Sequence, residues 1–120
     1  MALSEKLWRI VAALNGFMAV AMGAIAAHGV ADAHAASLAE KASYYQLIHA
    51  VLLLWLASQK GRVFNLSRLA VITGLILFCG SLYIKALTGW EEITHLAPMG
   101  GTSFMVGWVL IAFKSINTKS

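Results

Sequence analysis

Seven of the nine basic residues of this chain fall in three clusters, and four long apolar runs lie between and beside them. Lys6 and Arg9 precede the first run, Lys60, Arg62 and Arg68 separate the second from the third, and Lys114 and Lys119 follow the opening and bulk of the fourth. Each run can cross a hydrocarbon core about 30 Å thick, which takes roughly 20 helical residues. Cytoplasmic loops collect Lys and Arg, so the three clusters mark the inside, and Asp32, Glu40, Glu91 and Glu92 fall outside. The expected fold is therefore all-α, an integral membrane domain over residues 1–120. It has four antiparallel transmembrane helices and both termini in the cytoplasm.

Composition points the same way. Hydrophobic residues make up 60% of the chain and charged ones 12%, against about 45 to 50% and about 25% in soluble domains. At 120 residues there is room for one domain and no appended soluble module. The net charge of +4 does not call for a nucleic-acid partner, because the bases sit beside apolar runs, where membrane orientation and anionic headgroups account for them. Cys79 is the only cysteine, so an internal disulfide is excluded. Residues 10–27 exceed the usual apolar length of a signal peptide, about 7 to 15 residues, and are expected to stay as a helix. An Arg/Ser-rich transit segment is missing, which favours a bacterial inner membrane over a mitochondrial one.

The helices are expected at about 7–29, 38–59, 66–88 and 98–116. In helix one, Ala12, Gly16, Ala19, Gly23 and Ala27 recur at steps of three and four. Such a face of small residues lets another helix approach closely, since association in lipid rests on packing and interhelical hydrogen bonds. Gly74 and Gly80 in helix three, and Gly100, Gly101, Ser103 and Gly107 in helix four, are candidates for the same role. Asn15 is expected to make an interhelical hydrogen bond. Ser37 and Glu40 have capping-box spacing, which would start helix two near Leu38. Gly89 suits a left-handed cap and Pro98 the first turn of helix four. Tyr44, Tyr45 and Trp90 suit the outer interface, and Trp8 the inner one.

All four histidines map to the outer half of the protein or near its middle. His34 and His95 are in the external loops, His28 ends helix one, and His49 lies ~7 Å below Tyr44 at a rise of about 1.5 Å per residue. Ionisable groups at that depth usually face the bundle interior, a partner or a pathway. Tyr45, Gln46 and His49 can share an arc of helix two. On helix three, Gly74, Ser81, Lys85 and Thr88 share one side, with Cys79 and Tyr83 nearer the other. Lys85 can carry its ammonium out toward headgroups or toward Glu91 and Glu92.

A layer built from His28, Tyr45, Gln46, His49, Ser81 and Tyr83 has three possible uses. The first is structural, an exchange of hydrogen bonds that sets helix positions. The second is a metal or haem site on His28 and His49, although no His-x-x-x-His or Cys-x-x-Cys spacing is present. The third is movement of protons or small solutes past His49, against which stands the shortage of polar groups in the inner half, where only Asn15, Thr73 and Ser58 occur. No Ser-His-Asp order, phosphate loop or His-Glu metalloprotease motif appears, and Gly100-Gly101 lacks the Gly-Lys-Ser ending. The expectation is a non-enzymatic protein without a cofactor, acting in the bilayer through self-association or a membrane-protein partner.

Four segments in order resemble the YgdD-like family of small inner-membrane proteins, a family of unknown function. They are Gly23-Ala24-Ile25-Ala26-Ala27-His28-Gly29, Tyr45-Gln46 with His49, Leu77-Phe78-Cys79-Gly80-Ser81-Leu82-Tyr83 with Ala86-Leu87-Thr88-Gly89, and Pro98-Met99-Gly100-Gly101 with Phe104 and Gly107-Trp108. The likeness covers nearly the whole chain and implies a multi-pass inner-membrane protein, with no reaction attached. The family's first motif usually reads Gly-Ala-Phe-Gly-Ala-His, where this chain has Ile25 and Ala26 in the middle. Cys79, Lys85 and Ala97 stand where serine, an apolar residue and threonine are usual, so the resemblance assigns these three no polar role.

Overall fold

A computed structural model describes residues 2–117, and these are helical throughout apart from short connections. Lys119, one of the residues taken to mark the inside, lies outside the described residues. Helix α1 runs Leu3–His28 and α2 Ala33–Leu56. Helix α3 spans Arg62–Thr88, with a π-helical turn at Leu75–Cys79 in its middle. A 3₁₀ turn, Glu92–Leu96, leads into α4, Ala97–Asn117.

Three of these stretches, Leu3–His28, Arg62–Thr88 and Glu92–Asn117, are long and apolar enough to cross a membrane. The remaining helix, α2, has 24 residues, about 36 Å at the helical rise. It is more polar because it carries Glu40, Lys41, Gln46 and His49. Its position compensates for that: α2 packs against both α1 and α3, and Ser43, Gln46 and His49 are buried there.

Local chemistry moved several expected boundaries. Helix α2 starts five residues earlier than the Ser37–Glu40 capping box placed it, because Asp32 is the cap, its Oδ2 accepting from the Ala35 N–H at 2.8 Å. Ser37 and Glu40 then lie inside the helix and exposed, and the alanine-rich stretch before them has the highest helix propensity available. Helix α1 reaches back through Ser4-Glu5-Lys6, where Glu5 complements the N-terminal dipole and pairs with Arg9 at 3.2 Å. Helix α2 ends at Leu56 and a turn carries the chain to Gly61, whose φ of 108° opens α3 at Arg62. Gly89 adopts the left-handed conformation expected of it, φ 75°, and its N–H bonds the Lys85 carbonyl at 2.8 Å. Pro98 sits in the first turn of α4.

Packing is governed by the small residues. The interior is built largely of alanine, with Ala12, Ala19, Ala26, Ala39, Ala42 and Ala50 all buried, while Leu7, Leu14, Phe17 and Val20 point outward. That inversion suits lipid, where close backbone approach rather than expulsion of water holds helices together. On α1 the seam ends at Ala26, leaving Ala27 exposed. The tightest approaches are between α3 and α4. A Cβ on Gly100 would lie 2.3 Å from the Phe78 amide nitrogen, one on Gly74 2.4 Å from the Phe104 ring, and one on Gly107 2.9 Å from Val71. Gly23 meets Ser43 on α2, whereas Gly16 and Gly101 make ordinary contacts and Gly80 has no neighbour within 4 Å. Two hydroxyls stitch the same α3–α4 seam, the buried Ser67 donating to the Gly107 carbonyl at 2.8 Å and the half-buried Ser103 to that of Ala70 at 2.6 Å.

The arrangement is a zigzag layer in which α1 packs on α2, α2 on α3 and α3 on α4. Neighbours are antiparallel, since Asn15 meets Gln46 while Ala19 meets Ser43, and Gly74 meets Phe104 while Gly107 meets Val71. Between α1 and α3, above α2, a cleft of about 440 Å³ remains open.

Candidate functional site

The expected polar layer divides into two hydrogen-bonded groups on neighbouring arcs of α2. The first joins three helices. Tyr83 on α3 donates its hydroxyl to Gln46 Oε1 at 2.6 Å; Gln46 Nε2 donates to Asn15 Oδ1 on α1 at 3.1 Å; Asn15 Nδ2 donates to the Val11 carbonyl at 2.9 Å. Every donor in this chain of bonds meets an acceptor. The amide of Gln46 is the element that lets one residue serve two helices, because it presents an oxygen and an N–H at once. Asn15, Gln46 and Tyr83 line the open cleft, together with Cys79, Ser81 and apolar residues such as Ile72 and Ile84.

A π turn interrupts α3 just before Tyr83. The wider turn at Leu75–Cys79 offsets the C-terminal half of the helix from its N-terminal half; Gly74 is buried against α4, Cys79 and Tyr83 against α2, and Ser81 is buried as well. Cys79 Sγ reaches the Ala42 carbonyl at 3.4 Å. Ser81 bonds within its own helix, to Phe78 O at 3.0 Å, and takes no part in the interhelical chain.

The second group surrounds His49. Its Nδ1 lies 2.7 Å from the Tyr45 carbonyl, which can only accept, so Nδ1 carries the proton. Nε2 then accepts from Trp108 Nε1 on α4 at 3.1 Å, indole being a donor only. Both ring nitrogens are thereby engaged in the neutral tautomer, and Nε2 has no lone pair free for a metal. The imidazole stacks on Phe104 at a centroid distance of 3.7 Å, and Tyr45, half exposed, packs against Phe78 at 4.8 Å.

His28 is placed elsewhere. It is the exposed last residue of α1, and in the antiparallel α1–α2 register it stands roughly 20 Å from the level of His49 at 1.5 Å per residue. The two histidines do not share a site. Among the described residues, no group of three or more His, Cys, Asp or Glu side chains is gathered as a metal would need.

Two charged features complete the picture. Lys85, largely covered, pairs with the exposed Glu91 beyond the end of α3, the outward reach expected of it. The hydrogen bond from Lys85, and then its charge, hold the Glu91 carboxyl below its ordinary range. A carboxyl depressed by folding stabilises above the ordinary carboxylate range and loses that contribution as pH falls through its lowered value. The stability gap between wild type and Glu91→Gln is therefore expected to be present at pH 7 and to close in acid, as read from Tm against pH in detergent.

The other feature escaped the sequence reading, which used Arg68 only as an orientation signal. Its guanidinium is buried against the end of α2, Nη1 donating to the carbonyls of Leu56 at 2.6 Å and Gln59 at 2.9 Å. Leu56 is the last residue of α2, and its carbonyl, which has no partner within the helix, also accepts from the Gln59 N–H at 3.0 Å. An arginine about two turns into a helix, rather than at its start, was the available signal.

Comparison with known proteins fits this architecture. The family described as "Protein of unknown function (DUF423)" matches residues 22–101. A UPF0382 membrane protein of Haemophilus influenzae is 38% identical, the alignment covering 90% of this chain and 92% of the relative. UPF0382 membrane protein SAB0533 of Staphylococcus aureus is 38% identical over 88% and 92%, and UPF0382 inner membrane protein YgdD of Escherichia coli (strain K12) 32% over 98% and 95%. No solved structure matches the chain. A helical membrane architecture and relatives that align along almost its full length place this chain in the DUF423 family of membrane proteins of unknown function.

Proposed function

We propose that this chain crosses a bacterial inner membrane four times with both ends in the cytoplasm. On this reading it acts without catalysis, by associating laterally with its own kind or with another membrane protein. The observation that carries the proposal is the open cleft between α1 and α3. Its wall is mostly apolar, Ile72, Leu75, Ile76 and Ile84 among it, with the exposed Met18 on α1 opposite, a surface that a second helix can cover by close packing in lipid. Helix α1 has α2 as its main neighbour, so a helix from another chain has room to close the cleft. The polar side chains inside the bundle spend their hydrogen bonds on one another, which suits a scaffold. Topology is supported by the basic Lys6, Arg9, Lys60, Arg62 and Lys114 at one end of the helices and Asp32, Glu91 and Glu92 at the other. The inner-membrane location is supported by the name of the Escherichia coli relative.

The test is crosslinking in native membranes. Met18 lines the cleft, so Met18→Cys on a Cys79→Ser background is expected to give a crosslinked dimer or a discrete heteromer, matched by native mass spectrometry. An isolated monomer in both experiments would sink the proposal. For topology, an impermeant maleimide should label Glu92→Cys in intact cells and Lys60→Cys only after lysis; the reverse pattern would invert the orientation.

A further inference from the structure

The basic end of the bundle holds a cation that the fold has not neutralised. Arg68 is only 9% exposed, yet among the described residues the ion pairs are Arg9–Glu5 and Lys85–Glu91, and neither includes it. The two edges of its guanidinium are used differently. Nη1 is consumed by the two carbonyls at the end of α2. On the other edge, Nη2 makes one long contact, 3.4 Å to Asn65 Oδ1, and Nε is a buried donor with no partner. The N–H groups of Nε and Nη2 point the same way, and this is a fork with which arginine holds a carboxylate or phosphate in two parallel bonds. A buried charge with neither a counter-charge nor a full set of hydrogen bonds is costly.

A cavity of about 260 Å³ is lined by Arg68 together with Glu5, Trp8, Ser58, Lys60 and Asn65. We propose that it is an anion site, in which the phosphodiester of an anionic phospholipid sits on the Nε–Nη2 edge of Arg68 with Lys60 as the second cation. The depth suits a headgroup: the cavity opens at the charged end of the helices, beside Trp8, a residue type that favours the interface. Basic pockets between membrane helices bind anionic headgroups for the same electrostatic reason. Asn65 is exposed and holds Nη2 only at 3.4 Å, so an incoming oxygen replaces a weak contact. Glu5 is the one acid in the wall, and Arg9 at 3.2 Å offsets part of its charge. It works against the anion, and this gives the proposal a variant of opposite sign.

The experiment uses the full chain, gently delipidated and then exposed to phosphatidylglycerol or phosphatidylcholine, with retained lipid counted by native mass spectrometry. Phosphatidylglycerol is expected to be retained about tenfold better. Lys60→Gln should weaken that preference about fivefold, the effect of one cation near a headgroup, and Glu5→Gln should strengthen it. Arg68→Lys keeps the charge without the fork and should lose the preference at unchanged helix content. If that variant does not fold, the Lys60 and Glu5 pair still decides. Inorganic phosphate at millimolar concentration separates the sources. Displacement of phosphatidylglycerol would show that a free phosphate fills the site, and no displacement that the rest of the lipid is needed; either supports an oxyanion site. Equal retention of the two lipids, or a preference unchanged in both Lys60→Gln and Glu5→Gln, overturns the proposal.

Discussion

Gly100→Ala is expected to force α3 and α4 apart. The added Cβ would lie 2.3 Å from the Phe78 amide nitrogen and 2.8 Å from its Cα, atoms of the backbone that no rotamer change can move. Overpacking a tight core costs about 1–3 kcal/mol, and a clash with backbone belongs at the upper end. Alanine regains up to about 1 kcal/mol of helix propensity, so a net loss of about 2 kcal/mol is expected in unfolding from mixed micelles. Gly80→Ala is the control. Its Cβ would meet nothing within 4 Å, and the same propensity term should leave it neutral or slightly stabilising. Equal behaviour of the two variants would mean that the α3–α4 seam is not packed as described. The Phe78 ring, which also touches Tyr45 and Phe104, would carry the shift toward His49, so a changed Trp108 emission, read with Trp8, Trp55 and Trp90 replaced by Phe, should accompany the loss.

Gln46→Leu should give the second large effect, from polarity rather than volume. It removes two interhelical bonds and leaves the Tyr83 hydroxyl and Asn15 Oδ1 without the partners they have now. Interhelical hydrogen bonds in membranes average about 0.6 kcal/mol and reach about 1.7, so losing both and stranding their partners is expected to cost about 2 kcal/mol. Tyr83→Phe removes one bond and should cost less. In the double variant the two losses should fall short of additive, because both delete the same bond. Ser81→Ala, whose hydroxyl bonds within its own helix, should cost little. A Gln46→Leu protein as stable as wild type would remove the three-helix connection from the account of the fold.

The cleft and the Arg68 cavity lie in different parts of the molecule and depend on different chemistry. The cleft asks for a helix that packs on its mostly apolar wall, and the cavity for an oxyanion at the membrane surface. Loss of lateral association in a Met18-side variant should leave lipid preference intact, and Lys60→Gln should leave crosslinking intact.

What the sequence determined by itself were properties that depend on composition or on a few adjacent residues. Membrane partition comes from apolar runs and their charged flanks, the end of α3 from a glycine free to take positive φ, the start of α4 from proline, and close packing from glycines and alanines at helical spacing. The Asp32 cap was also local, but two capping patterns stood within one segment, and propensity in the intervening alanines favoured the earlier. Tertiary structure decided what depends on how each helix is rotated about its axis and how deep it sits against its neighbour. The helical period says which residues share a face, not which face meets which helix. Thus Gln46 faces Asn15 and Tyr83 while His49, three residues on, faces Trp108. The π turn lies between an N-terminal half of α3 whose Gly74 meets α4 and a C-terminal half whose Cys79 and Tyr83 meet α2. Arg68 looked like a flanking charge until the end of α2 was placed over it, and His28 looked like a partner of His49 until the antiparallel register set them far apart.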